Sequence, residues 1–456
     1  MPNLDTSQKS EKYIRMTTTP VEKLVISLAM PSIAIMIISS LYNMADTYFV
    51  SSLGTSQVAA VGIAFPLMAI IQAIGFFFGQ GSGNYMSRAL GAQDTENTSR
   101  MAATGLVSGF ITMALIALAG LIFLDPMIGG LGATETIEPY AREYIIFILL
   151  ASPWMVAATV LNQQLRFQGS AAIAMVGMLS GAFLNIILDP IFIFAFGMGV
   201  KGASSATMVS QFISFLILVF YGCTRKGNIP IKLSHFSPSI GRYKEMFRGG
   251  VPALFRQGLA SVASILINHH ARFYGDQAIA AISIVNRICM FAFSVVLGFG
   301  QGFQPVCGFN YGAKFYDRVK KAFWFCVRTC FIGLLAIAIV LFIFAPQIIA
   351  LFRKDDLEVI AIGVRGLRLN AVTIPFTAIL VMCNMMTQTM GRALEASITS
   401  FSRQGLILIP SLFILSPLLG LLGIQLTTPI ADFACLFIVI PIIRRTLKSL
   451  SVEAKE

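Results

Sequence analysis

The chain has 456 residues, of which 56% are hydrophobic and 12% are charged. Soluble domains carry about 25% charged residues, so this composition excludes an ordinary soluble protein and indicates an integral membrane protein. The formal net charge of +12 comes from basic residues that are spread over many loops without a dense patch. Such a distribution reflects membrane topology and contact with lipid headgroups, and it argues against a nucleic-acid-binding surface.

The first 23 residues are polar and lack the short apolar core of a cleavable signal, so we predict a cytoplasmic tail at 1–23. Apolar stretches of roughly 20 residues or more then recur to the end of the chain, each long enough to cross about 30 Å of hydrocarbon. The sequence therefore predicts an all-α integral membrane protein with twelve spanning helices, at 24–50, 57–84, 101–124, 140–164, 171–197, 202–222, 247–272, 278–306, 322–350, 360–388, 395–418 and 421–443.

Two pseudo-symmetric lobes of six spans each are predicted, at 24–222 and 247–443, joined by a cytoplasmic linker at 223–246 and followed by a cytoplasmic tail at 444–456. The second lobe repeats the first at a nearly constant distance of 221 or 222 residues. Six spans in each repeat give both lobes the same orientation, and internal doubling of an apolar chain is typical of transporters whose site lies between homologous lobes. Matching pairs include Pro31/Pro252, Gly54/Gly275, Gly79-Gln80-Gly81/Gly300-Gln301-Gly302, Pro153/Pro375 and Asn162/Asn384.

The basic residues predict the orientation of the chain. With the N-terminus inside, the inner segments hold 24 lysines and arginines, Arg403 among them, and the outer segments hold 7. This excess of inner basic residues predicts that both termini lie in the cytoplasm.

In the first lobe, polar side chains cluster at one depth of predicted spans 1, 5 and 6. Ionisable side chains inside a span cost about 2.5–3.5 kcal/mol on insertion scales, so each requires a partner or a function. Asp46, Asp189 and Thr207 fall at a similar depth, and Asn185 lies one turn inward of Asp189 on the same helix face. Two neighbouring carboxylates in a low dielectric cannot both remain ionised without a cation, so we predict a site for a proton or Na⁺. The alternative is a pair of buried acids satisfied by hydroxyl groups and water.

In the second lobe, Arg256, Arg287 and Asp432 lie near the midplane of predicted spans 7, 8 and 12, and Gln257 lies beside Arg256. One interpretation is an arginine–aspartate pair that neutralises itself and holds helices together. The other is a role in substrate binding or gating, and the sequence leaves both open. The catalytic motifs that a membrane-embedded hydrolase would need do not occur in the sequence.

Prolines mark positions where spans are expected to bend. Pro31 and Pro252 occupy matching positions in the first span of each repeat, where a kink either lets a helix bend as the lobes rearrange or is static. Pro190 has no N–H, which frees the carbonyl of Ile186 as an additional acceptor near the predicted cation site.

Short motifs in a fixed order resemble a known family. They are Met30-Pro31-Ser32 followed by Tyr42-Asn43-Met44-Ala45-Asp46-Thr47, then Ser87-Arg88-Ala89-Leu90-Gly91-Ala92, then Gln304-Pro305-Val306-Cys307-Gly308-Phe309-Asn310-Tyr311-Gly312-Ala313-Lys314. In this order, within a six-plus-six repeat, they resemble the multidrug and toxic compound extrusion (MATE) family over essentially the entire chain. The chain is most similar to the DinF-like branch and to the MepA-type bacterial drug exporters.

The resemblance implies a V-shaped pair of lobes in the bacterial cytoplasmic membrane that alternates between outward- and inward-open states. It implies export of cationic, amphipathic drugs in exchange for H⁺ or Na⁺, without a resident cofactor. Pro31 matches a proline whose bending is proposed to accompany cation loading, and Tyr42 and Asn43 are further candidates for substrate contact or gating. The family's cation site is matched by Asp46, Asn185, Asp189 and Thr207. Acidic residues in spans 7 and 10 mark the NorM branch, but these spans here offer Arg256, Gln257 and Asn384, so coupling is expected to rest on the first lobe.

Other functions remain open at this stage. A flippase for a lipid-linked sugar would need a strongly basic central cavity, for which only Arg256 and Arg287 qualify, and an intramembrane enzyme would need a catalytic constellation. The oxygen-rich cluster suits both H⁺ and Na⁺, so the sequence does not choose between them. The expected partners are small drug molecules and membrane lipids but no nucleic acid, and the chain is expected to act as a monomer.

Overall fold

The computed structural model describes the backbone of residues 6–51, 53–224, 228–229, 232–352 and 356–453, and their side chains except at 6–10, 40–48, 51, 55 and 223. Within this described part, all regular secondary structure is helical. Twelve helical stretches are long and apolar enough to cross a membrane, which confirms the predicted fold class and number of spans.

The first repeat contains a short N-terminal helix and six spans. Its helices are α1 (Thr6–Thr18), α2 (Val21–Ser51), α3 (Thr55–Gly91), α4 (Thr95–Ile122), the short α5 (Leu124–Gly130), α6 (Glu138–Phe167), α7 (Ala171–Pro190), which continues into a π turn at Ile191–Ala195, and α8 (Gly199–Thr224).

The second repeat contains six further spans, two of which are interrupted within the membrane. Its helices are α9 (Ile240–Ala271), α10 (Asp276–Gly312), α11 (Tyr316–Ile343), the short α12 (Ala345–Phe352), α13 (Leu357–Thr373) and α14 (Thr377–Thr389) joined by a 3₁₀ turn at Ile374–Phe376, α15 (Ala393–Phe401) and α16 (Ile409–Leu419) joined by a π turn at Ser402–Leu408, and α17 (Leu421–Glu453).

Glycines begin the second span of both repeats. Gly54 precedes α3 with φ of 132°, and Gly275 precedes α10 with φ of 88°. Residues other than glycine rarely adopt these positive φ values. The same turn chemistry therefore occurs at the same place in both halves.

The N-terminal segment, expected to be a polar tail, contains a helix that packs on the first repeat. Lys12 Nζ donates hydrogen bonds to Ser170 Oγ (2.9 Å) and to Asn228 Oδ1 (2.8 Å). Met16 is 1% exposed and lies against Gly169. Helix α1 is thus attached to the turn between α6 and α7.

The predicted linker is shorter than its expected bounds, because α9 begins at Ile240 rather than near 247. The additional residues pack on the first repeat, where the Tyr243 and Ser108 hydroxyls form a hydrogen bond of 2.9 Å. Just before α9, His235 Nδ1 and Ser99 Oγ lie 2.5 Å apart. Polar contacts with α4 therefore hold this segment in place.

The contacts divide the chain into two units, with one border between α1 and α2 and two borders inside spanning helices. Unit 1 comprises 1–19 and 34–254, and unit 2 comprises 20–33 and 255–456. Each unit therefore includes the first half of the other repeat's first span. The two borders lie two residues after Pro31 and two residues after Pro252.

The two Gly-Gln-Gly segments receive these exchanged half-helices. A Cβ atom at Gly81 in unit 1 would lie 2.4 Å from the carbonyl oxygen of Met246 on α9. In unit 2, a Cβ atom at Gly302 would lie 2.4 Å from the backbone of Ala29 on α2. Only glycine permits such close backbone approach, so the matching segments serve the same packing role in both units.

Ion pairs attach each exchanged half-helix to the unit that contains it. In unit 1, Arg88 on α3 and Glu245 on α9 lie 2.9 Å apart. In unit 2, Lys321 on α11 and Glu22 on α2 lie 3.1 Å apart. Both units therefore use the same device with different residues.

Candidate functional site

Asn185, Asp189 and Thr207 form one buried cluster in unit 1. Helix α7 carries Asn185 and Asp189 one turn apart, α8 carries Thr207, and all three residues are at most 2% exposed. With its nitrogen facing Asp189, the Asn185 amide donates a hydrogen bond to Asp189 Oδ2 (3.1 Å), and its oxygen accepts one from the Thr207 hydroxyl (3.3 Å). The structure thus brings three of the four predicted cation-site residues together, and we call them the Asn185–Asp189–Thr207 cluster.

Small residues allow α7 and α8 to approach closely at this cluster. A Cβ atom at Gly181 on α7 would lie 2.7 Å from the Ser214 side chain, and one at Gly202 on α8 would lie 2.7 Å from the backbone of Phe192. Ser214 Oγ donates a hydrogen bond to the carbonyl of Gly177 (2.8 Å). These contacts fix the depth of the cluster on rigid helices rather than on loops.

Pro190 follows Asp189 directly and introduces a change of helix type. The α-helix ends at this proline, and the π turn at Ile191–Ala195 begins with the next residue. Single π turns inside helices occur frequently at functional sites. The distortion therefore begins two residues after the buried carboxylate.

Asp46, Asn43 and Tyr42 lie in the second half of α2, and their side chains fall outside the described residues. The backbone places Asp46 in unit 1, the unit that contains the cluster. Its participation in the cation site stays a prediction, and so do the roles of Asn43 and Tyr42.

Asp432 in unit 2 pairs with Arg403, which the sequence analysis counted with the inner basic residues although predicted span 395–418 contains it. Arg403 Nε lies 2.5 Å from Asp432 Oδ1, and Asp432 is 2% exposed. The Thr373 hydroxyl donates to the other carboxylate oxygen at 3.5 Å. Counting Arg403 as a topology signal was wrong, because it lies in the π turn at Ser402–Leu408 within the helical span and neutralises a buried acid.

Arg256 and Arg287 do not take part in that pair. Arg256 is half-buried and donates a hydrogen bond through Nη1 to Asn384 Oδ1 at 3.1 Å. Arg287 is exposed on α10, and Gln257 is half-buried on α9. The structure therefore does not bring Arg256, Arg287 and Asp432 into one site.

Unit 2 has a small cavity whose lining includes the repeat counterparts of two of the four predicted cation-site residues, Asp46 and Thr207. Its volume is about 20 Å³, which suffices for one water molecule. Ile267 corresponds to Asp46 and Thr428 to Thr207 at the same distance of 221 residues, and both line the cavity. Carboxylates are absent from the lining, which is completed by Ile282, Val285, Asn286, Gly366, Asn370, Ile424 and Gln425.

Gln425 contributes an unsatisfied oxygen to this cavity. Its Nε2 donates to the carbonyl of Ile362 (2.8 Å), whereas its buried Oε1 has no hydrogen-bond partner in the described structure. Sequence reasoning missed this amide. The repeat could have indicated it, because Gln425 lies 221 residues after Ser204, which is three residues before Thr207 of the predicted cation site.

The chain is similar to known membrane proteins along most of its length. The family profile described as MatE matches residues 31–191 and 252–414, one match in each repeat. Multidrug export protein MepA of Staphylococcus haemolyticus is 27% identical over 446 residues, which cover 98% of this chain and 98% of that protein.

Solved structures show the same fold. A crystal structure of MATE in the bent conformation aligns with a TM-score of 0.91 at 27% identity, over 97% of this chain and 99% of that chain. The outward-facing conformation of a multidrug resistance MATE family transporter of the MOP superfamily aligns with a TM-score of 0.90 at 28% identity, over 96% and 98% of the two chains.

Proposed function

Because the chain belongs to the MatE family of membrane transporters, we propose that it exports cationic, amphipathic drugs in exchange for H⁺ or Na⁺. The similarity to proteins named Multidrug export protein MepA supports export of several drugs. The observation that carries the exchange mechanism is the buried Asn185–Asp189–Thr207 cluster, because it places a carboxylate inside a membrane span.

A cation from outside would bind at this cluster together with Asp46. Asp189 and Asp46 supply negative charge, and the Asn185 and Thr207 oxygens complete a set of oxygen ligands suited to Na⁺. A proton would be taken up by one of the two carboxylates, since burial disfavours two neighbouring charges.

Exchange requires only that the cation and the drug favour different states of the protein. Cation loading removes negative charge, which weakens the attraction for a cationic drug and favours its release. The effect is reciprocal, so drug binding must lower cation affinity by the same factor. We propose that Pro31, which lies near the border of unit 2 within α2, accommodates the accompanying bend.

The cellular setting is part of the proposal. The excess of inner basic residues supports cytoplasmic N- and C-termini in a bacterial cytoplasmic membrane. We propose that a single chain suffices for transport and that membrane lipids are its other contacts.

The replacement Asp189→Asn tests the mechanism. This change keeps the size of the side chain and removes the charge, so we expect loss of gradient-driven dye export in proteoliposomes by at least tenfold. Asp276→Asn, at an exposed position at the start of α10, is the matched control and should export as the wild type does.

Applying a pH gradient alone and then a sodium gradient alone to the same vesicles would identify the coupling ion. Wild-type rates from folded Asp189→Asn protein under the active gradient would refute the assignment of the cluster.

A further inference from the structure

Arg256 is a cation in the middle of a spanning helix without a carboxylate beside it. It lies about 22 Å from the end of α9 at Ala271, at 1.5 Å per residue. Among the described residues, no carboxylate lies within 4 Å of its guanidinium, and its hydrogen bond goes to Asn384. An arginine at such depth costs about 2.5–3.5 kcal/mol on insertion scales, so it needs an acceptor or a function.

Asn384 is held so that its oxygen faces this arginine. The Asn384 nitrogen donates to the carbonyl of Ala396 (2.9 Å) and to Ser400 Oγ (2.7 Å), which leaves Oδ1 for the guanidinium. A guanidinium has five N–H donors in a planar fork that matches oxyanions. The hydrogen bond to Asn384 fixes one N–H group and so orients the guanidinium, whose other N–H groups stay available as donors.

The repeat shows that the scaffold does not require this charge. In unit 1, Asn162 corresponds to Asn384 and makes the equivalent hydrogen bond to the carbonyl of Ala174, also at 2.9 Å. The residue that corresponds to Arg256 is Ile35, which is 6% exposed. The same helix contact therefore forms with an aliphatic residue in place of the arginine.

Among the described residues of unit 2 near this depth, no buried carboxylate is available to pair with Arg256. Asp432 is bound to Arg403 at 2.5 Å and accepts a further hydrogen bond from Thr373. Phe255 precedes Arg256 in the chain, and its ring lies 5.9 Å from the ring of Phe401. Within the described part of unit 2, the Arg256 guanidinium therefore has an amide partner and no carboxylate partner.

We infer that Arg256 binds the oxyanion, a carboxylate or a phosphate, of an amphipathic substrate and so selects compounds that carry a negative group beside their positive one. This inference rests on the proposed export function and narrows its substrate class. Bidentate hydrogen bonding to the guanidinium would hold the oxyanion. A purely cationic compound does not use this contact.

Two dyes that differ by one charge test the inference. Tetramethylrhodamine carries a free carboxylate and is zwitterionic, whereas its methyl ester is cationic. Export of both is measured in proteoliposomes, and binding of both to purified protein is measured by fluorescence anisotropy. The variants are Arg256→Ile, which installs the residue of the other repeat, and Arg256→Lys, with Arg365→Gln at an exposed position of α13 as the control.

We expect Arg256→Ile to weaken binding and export of the zwitterion at least tenfold and to change those of the ester less than twofold. Arg256→Lys should lie between, because lysine keeps the charge without the planar fork. Equal losses for both dyes, or no loss for either, would overturn the inference. Export of neither dye by the wild type would instead refute the proposed function, so the two failures are distinguishable.

A lipid phosphate is the other source of the same chemistry. Phosphatidylglycerol added to the detergent solution should compete with the zwitterion in the wild type but not in Arg256→Ile if the headgroup occupies the site. Binding of the zwitterion that is insensitive to the lipid identifies the substrate carboxylate as the occupant.

Discussion

Unit 1 keeps a buried carboxylate beside an amide and a hydroxyl, whereas unit 2 pairs its buried carboxylate with an arginine. Asp189 hydrogen-bonds Asn185, and Asp432 lies 2.5 Å from Arg403. An arginine side chain is a permanent counter-ion, but an amide is neutral. In the proposed mechanism, it is the carboxylate of unit 1 that exchanges a cation with solution.

Equivalent positions of the two units differ in charge. Where unit 1 has Asp46 and Thr207, unit 2 has Ile267 and Thr428 around a small neutral cavity. The threonine hydroxyl is present in both units, whereas the aspartate charge is present only in unit 1. A cavity lined by amides and aliphatic groups suits water rather than a cation.

The largest effect is expected from removing the charge that distinguishes these positions. Asp46→Asn should abolish export while the protein stays folded in the membrane, because the proposed site loses one of its two carboxylates. Drug resistance of cells and dye efflux from vesicles measure this. Ile267→Leu, a volume-conserving change at the equivalent position, should leave efflux within about twofold. Full resistance from Asp46→Asn at wild-type expression would break the comparison.

An intermediate effect is expected from separating the arginine–aspartate pair. Asp432→Ala leaves Arg403 without its counter-ion, and breaking a buried pair typically costs about 3–5 kcal/mol. We expect a marked fall in thermal stability in detergent, with lipid-reconstituted transport lost only through unfolding. In the double variant Asp432→Asn with Arg403→Gln, neutral amides replace both charges, and stability should largely return. A double variant as unstable as the single one would show that the charges themselves are needed.

The smallest effect is expected from the two threonines. Thr207→Ala removes a hydrogen bond within the cluster, and a bond of this kind contributes about 0.5–1.5 kcal/mol. The apparent affinity for the coupling ion should fall about two- to tenfold, as measured by efflux against ion concentration. Thr428→Ala should leave this affinity unchanged. Equal shifts from both replacements would mean that unit 2 also takes part in coupling.

The spans, and the proximity of the three residues of the Asn185–Asp189–Thr207 cluster, could be predicted from the sequence. Apolar runs of span length, the similar depth of Asp189 and Thr207, and the shared helix face of Asn185 and Asp189 depend on local pattern and helix rise, which a single chain reveals. Arg403 was counted with the inner basic residues although predicted span 395–418 contains it, and its pairing with Asp432 was not predicted. A π turn and a buried acid on another helix keep it in the span, and neither has a local signal.

The local sequence pattern also could not predict which helices the exchanged half-helices of α2 and α9 pack against. Helices α2 and α10 are apolar around much of their circumference, so their composition does not say which neighbour covers which face. Gly81 and Gly302 permit close contact but do not specify the helix that makes it. That choice is made by tertiary packing.

The shared first spans have a consequence for how the protein is made. Residues 240–254 belong to unit 1 but are synthesised after the whole first repeat, so the groove around Gly81 stays uncovered until the seventh span emerges from the ribosome. A gene cut between the repeats would give two fragments, each short of a segment that the other one carries. Neither fragment would contain a complete unit, so each unit needs both repeats on the same chain or in the same complex.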